Sequence, residues 1–116
     1  MQTATALLVK FAITFLAAVL SFTLLDKNTL GWVALVALAG TVLNYLLGDL
    51  VILPRMGNIA ASVSDGILGA IIAYAFTYIA PVFRVSWTSL LLFAVLIVAA
   101  EYAFHMYLKR SEKVAT

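Results

Sequence analysis

The chain has 116 residues and a mass of 12.5 kDa; 66% of it is hydrophobic, only 10% is charged, and the mean hydropathy is +1.15. Soluble domains carry about 25% charged residues, so this composition excludes a water-facing globule and points to lipid as the solvent. Seven Lys and Arg against five Asp and Glu leave a net charge of +2, enough to orient a membrane protein but not to bind nucleic acid, and the lack of cysteine removes disulfides, thiolate metal sites and Cys nucleophiles.

Crossing a bilayer takes about 20 mainly apolar residues in a helix. Four segments qualify, at about 7–25, 30–53, 59–80 and 86–108. The first is broken only by Lys10 and small hydroxyls. The tetrapeptide Asp26-Lys27-Asn28-Thr29 then reads as a tight turn whose side chains can satisfy free helix-end groups. The second segment opens with Gly31 and Trp32 and closes at Pro54, a helix stop; Gly57 supplies a permissive turn residue and Asn58 a cap for the third segment. The third connection holds Pro81 and Arg84. Connections this short make successive helices antiparallel neighbours, so residues 1–116 are expected to form one all-α, integral-membrane domain, a four-helix bundle of two hairpins.

Basic residues are retained on the cytoplasmic side. The side shared by both termini collects Lys10, Arg55, Lys109, Arg110 and Lys113 against Lys27 and Arg84 opposite, so both termini are expected to be cytoplasmic.

Ionisable residues inside a span are the sharpest clue, since each costs about 2.5 to 3.5 kcal/mol on insertion at the helix centre. Lys10, Asp49, Asp65, Glu101 and His105 all fall in the same half of their spans, which predicts one shared cluster. Helical spacing puts Asn58, Ser62 and Asp65 on one stripe and Glu101 and His105 on another. Tyr45 and Asp49 share a face of the second span, beside a small-polar row of Gly40, Asn44 and Gly48. Gly66, Gly69, Ala70 and Ala73 are expected to let the third span approach a neighbour closely.

Asp49 lies near the negative end of its helix and needs a partner: Lys10, Arg55, the start of the third span or a bound cation. The carboxylates outnumber Lys10, so one is protonated, or Arg55 or His105 joins, or a cation enters. Each residue also has a plainer reading. Lys10 can snorkel to the interface, Asn58 can be only a cap, and Glu101 and His105 can be interfacial anchors.

The stretch Gly48-Asp49-Leu50-Val51-Ile52-Leu53-Pro54-Arg55-Met56-Gly57-Asn58, with Ala61 and Asp65-Gly66 beyond it, is similar to the central motif of the YndM family. That family comprises small four-helix membrane proteins of spore-forming and related Gram-positive bacteria, a domain of unknown function. The resemblance implies a bacterial plasma-membrane location and marks Gly48, Asp49, Pro54, Arg55, Gly57, Asn58 and Asp65 as signature positions without assigned roles. Small multidrug transporters resemble the chain in size, but rely on a glutamate in the first span where this chain offers only Lys10.

No Walker loop, zinc-ligand pair or nucleophile elbow is visible, and His105 alone makes neither a metal site nor a triad, so no enzyme activity, metal or cofactor is expected. The expected function is a homo-oligomeric channel or transporter. Its intramembrane site for protons, cations or a small charged solute draws on Lys10, Asn44, Asp49, Arg55, Asn58, Asp65, Glu101 and His105. The alternative is a structural or accessory protein whose polar cluster holds the bundle or docks a partner helix. Expected partners are the bilayer, further copies of the chain and a second membrane protein. Binding of anionic lipid headgroups by Arg55, Lys109, Arg110 and Lys113 is a third reading.

Overall fold

The computed structural model describes the backbone of residues 3–115 and the side chains of residues 4–107; the side chains of Lys109, Arg110 and Lys113 lie outside the described residues. Every regular element is helical, with no strand among the described residues. Helix α1 (Thr3–Ala18) passes into a π-helical turn at Val19–Thr23, and α2 (Leu30–Leu43) into a longer π-helical stretch at Asn44–Ile52. α3 spans Leu53–Ile79 and α4 spans Trp87–Ala115.

Among the described residues, three helical runs are long and apolar enough to cross a membrane: Ala4–Thr23, Leu30–Ile79 and Trp87–Tyr107. Their outward faces carry large apolar side chains, among them Leu8, Leu16, Leu35, Leu38, Ile67, Ile71 and Leu91, all exposed as lipid contact requires. The middle run has 50 residues and would reach about 75 Å if straight at 1.5 Å per residue, yet the whole molecule is only 47 Å long. It is therefore folded back on itself. The bend is at Gly57, whose φ of 88° and ψ of 178° belong to a region essentially open to glycine alone. The sequence places the stop at Pro54; instead Pro54 sits in the first turn of α3, where its missing N–H costs nothing, and the reversal comes three residues later.

The end holding the two polar connections is pinned by side chains. Asn28 Nδ2 donates to the carbonyls of Phe22 (3.0 Å) and Arg84 (2.6 Å), and its Oδ1 accepts from the Arg84 N–H at 2.8 Å. Asp26 accepts from the Ser86 N–H at 3.2 Å. Ser86 and Ser89 then exchange side-chain-to-backbone bonds at the start of α4, a capping arrangement that satisfies two orphan donors. Beneath this end lies an apolar core of Phe22, Val33, Val36, Phe83, Phe93 and Ile97, with Phe22 and Phe93 ring centroids 4.9 Å apart.

α3 and α4 approach closely because Gly66 and Gly69 face α4. A Cβ at Gly66 would meet the Ala94 carbonyl oxygen at 2.7 Å, and one at Gly69 the Phe93 ring at 3.0 Å. The small-residue stripe thus packs as its composition suggests. This contact seats α4 so that its middle turns present Glu101 and His105 to the interior of the opposite end.

Candidate functional site

That opposite end is filled by charge. Lys10 of α1 is fully buried, and its ammonium is the hub. It donates to Glu101 Oε2 of α4 at 2.7 Å and to Asp49 Oδ1 at 3.2 Å, lies 3.1 Å from Asp49 Oδ2, and stands 4.0 Å from Asp65 Oδ2 of α3. The Phe104 ring covers it, 5.4 Å from Nζ to centroid, adding a cation–π contact. An ammonium of this kind is neither snorkelling nor solvated; its partners come from three separate stretches of helix.

Asp49 reaches the hub because its helix is π-wound there. In an i→i+5 helix the spacings of four and five residues return to one side, so Asn44, Gly48 and Asp49 share the buried face, with Tyr45, four residues before Asp49, half-buried at its edge. Gly48 has a second role: a Cβ there would collide with the Asp65 carboxyl group, so only glycine allows Asp65 to lie against the π-helical stretch.

His105, also fully buried, is held at both ring nitrogens. Nε2 lies 2.8 Å from Asp49 Oδ1 and 3.4 Å from both Asp65 Oδ2 and Glu101 Oε2. Nδ1 faces Asn58 Oδ1 at 2.8 Å and Ser62 Oγ at 3.2 Å. Asn58 Nδ2 donates to the Tyr102 carbonyl at 3.0 Å, which fixes the amide so that Oδ1 is an acceptor; Ser62 donates to the same oxygen at 3.0 Å. Nδ1 must therefore carry a proton. Nε2 then meets three carboxylates either as an N–H of an imidazolium or as a lone pair sharing a cation with them.

Asn58 is thus a positioning residue for His105 rather than a helix cap, and it reaches the site because the bend at Gly57 puts it at the start of the returning arm. Two expected members do not join. Arg55, two residues before the bend, is exposed and makes no ion pair among the described residues. Asn44 is buried one turn from Asp49, but neither amide atom has a hydrogen-bond partner among the described residues, so it borders the cluster without touching it. Phe104, which covers the ammonium, carries no signal in the sequence beyond its adjacency to His105. His105 joins Lys10, Asp49, Asp65 and Glu101, as their common depth in the sequence predicts.

With the imidazole neutral, one ammonium faces three carboxylates, and Asp49 Oδ2, Asp65 Oδ2 and Glu101 Oε1 have no hydrogen-bond partner among the described residues. Buried polar atoms are normally hydrogen-bonded, so these oxygens carry acceptor capacity that Lys10 and His105 leave unused. An open groove of about 270 Å³ is lined by Leu47, Ile52, Ile67 and Ile71 together with Gly48 and Asp65, so it reaches a residue of the cluster.

No curated protein and no solved structure matches this chain. The sequence does match one described family over residues 1–115, the whole of the fold and every residue of the cluster, and on that match the chain belongs to the family whose description is "Protein of unknown function (DUF2512)".

Proposed function

We propose that this protein is a four-pass membrane protein of the bacterial plasma membrane, with both termini cytoplasmic, that works as a homo-oligomer and moves protons or cations through the Lys10-centred cluster. On this reading the folded-back middle run counts as two passes, and its bend at Gly57 lies on the side of the termini. The observation that carries the proposal is Asp65: buried to 1% exposure, aimed at the hub, and left with an unpartnered oxygen among the described residues. A carboxylate in an apolar interior costs several kcal/mol unless it is paired, and such residues in spans mark proton and ion pathways. Four helices with a filled interior enclose no pore. A second copy seated over the groove that Gly48 and Asp65 help to line would supply a further wall, which is why the assembly is part of the proposal.

A second reading has its own support: full enclosure of Lys10 with short bonds to partners on other helices is what a lock between hairpins requires, and such a lock needs no traffic. The substitution Asp65→Asn separates the two. Transport predicts at least a tenfold loss of proton or cation flux in proteoliposomes while thermal stability in detergent stays within a few degrees of wild type. A lock predicts a lowered melting temperature. Absence of flux in the wild type under proton, Na⁺, K⁺ and divalent-cation gradients alike would overturn the transport proposal.

A further inference from the structure

Resting on the cation reading of the same cluster, we infer that Asp49, Asp65, Glu101 and His105 bind one first-row divalent metal ion of the Mn²⁺ or Zn²⁺ class, with Lys10 kept as a built-in counter-ion. The four residues each offer a ligand atom, all within 4.8 Å of one another, and all four are buried. Four ligands about 2.1 Å from a central ion form a tetrahedron with edges of about 3.4 Å. Two of the edges from His105 Nε2, to Asp65 Oδ2 and Glu101 Oε2, already measure 3.4 Å; the third, to Asp49 Oδ1, is 2.8 Å and has to open by a few tenths of an ångström.

Two observations besides the ligand spacing point to an ion. His105 is oriented from behind: Asn58 and Ser62 hold its Nδ1 side and direct Nε2 at the carboxylates, the outer support that metal-ligating imidazoles regularly have. Asp65 is buried, directed into the cluster and without a donor for Oδ2 among the described residues. Charge selects the valence. Three carboxylates and one ammonium leave two negative charges beside a neutral imidazole, and a dication cancels both, so no net charge is left in the low-dielectric interior. Donor type selects the class: one imidazole nitrogen among carboxylate oxygens suits Mn²⁺, Fe²⁺ or Zn²⁺ better than Ca²⁺ or Mg²⁺, which take oxygen alone.

The test uses the full chain in lipid nanodiscs, titrated with Mn²⁺ and followed by electron paramagnetic resonance. Expected are one saturable Mn²⁺ per chain, displacement by Zn²⁺, and nitrogen modulation from an imidazole in the pulsed spectrum. His105→Gln should abolish that modulation and weaken binding at least tenfold, and Asp65→Asn should weaken binding at least tenfold. The nitrogen signature is read in the wild type, so it holds even where a variant fails to fold. Absence of saturable binding up to millimolar Mn²⁺, or binding without nitrogen coupling, would overturn the inference. Proton or Na⁺ flux in a protein that binds no Mn²⁺ would sink the metal site and leave transport standing; Mn²⁺ bound at the nitrogen-containing site without any flux would support the metal site and sink transport.

Discussion

Lys10→Met is expected to lower the unfolding free energy by about 3–5 kcal/mol, enough to leave much of the protein unfolded in mild detergent. Methionine keeps the length and apolar body of the side chain, so the interior loses little packing. What it loses is the cation: Glu101 Oε2 and Asp49 give up their contacts at 2.7 Å and 3.1 Å, and three buried carboxylates face one another with only His105 nearby. Removing one member of a buried ionic group strands the others in a medium that solvates charge poorly, and the penalty exceeds whatever the intact group contributed. The check is a thermal or SDS denaturation series. A surface lysine such as Lys27, changed in the same way, should shift the midpoint little.

Gly48→Ala is expected to disable the site with a smaller cost to the fold. The added methyl meets the Asp65 carboxyl group, so either Asp65 turns away from the hub or the π-helical stretch and α3 move apart. Overpacking of this kind costs about 1–3 kcal/mol. Because the obstructed group is a carboxyl of the cluster, cation flux or Mn²⁺ affinity should fall at least tenfold, out of proportion to the lost stability. Gly31→Ala is the control: nothing lies within 4 Å of its Cβ position, and helical alanine is favoured over glycine by about 0.5–1 kcal/mol. Equal behaviour of the two variants in transport and stability would show that the contact between Gly48 and Asp65 does not matter.

The residues that form the hub are legible in the sequence. Apolar runs leave few places for charge, so Lys10, Asp49, Asp65, Glu101 and His105 stand out, and their common depth at one end requires that they meet. The stripe of Asn58, Ser62 and Asp65 is equally readable, because α3 beyond Gly57 is a regular helix in which residues four and seven apart share a side. Local reading fails where the backbone departs from α-helical winding. The π-helical stretch buries Asn44, Gly48 and Asp49 together, and no periodicity in Asn44–Ile52 announces that winding. Ending the helix at Pro54 makes Pro54–Asn58 a connection and Asn58 a cap; the helix instead runs on to the bend at Gly57, which leaves Arg55 exposed and carries Asn58 to His105. What is hidden is the support on the other side of the imidazole: Asn58 and Ser62, which hold Nδ1, lie 47 and 43 positions away in the chain, so no motif spacing can register them. The count of candidate spans is affected likewise, since Leu30–Ile79 is one continuous helical run until its bend is recognised.

Joint substitution of Lys10 and Glu101 bears most directly on the claim that charges from separate helices meet and depend on one another. In a double-mutant cycle of Lys10→Met and Glu101→Gln, measured by denaturation in detergent, the two changes together should cost about 1.5–3 kcal/mol less than the sum of the single changes, because removing Glu101's charge relieves the repulsion that loss of Lys10 exposes. Additivity within about 0.5 kcal/mol would mean that the 2.7 Å contact between them carries no coupling, and the cluster would lose its basis.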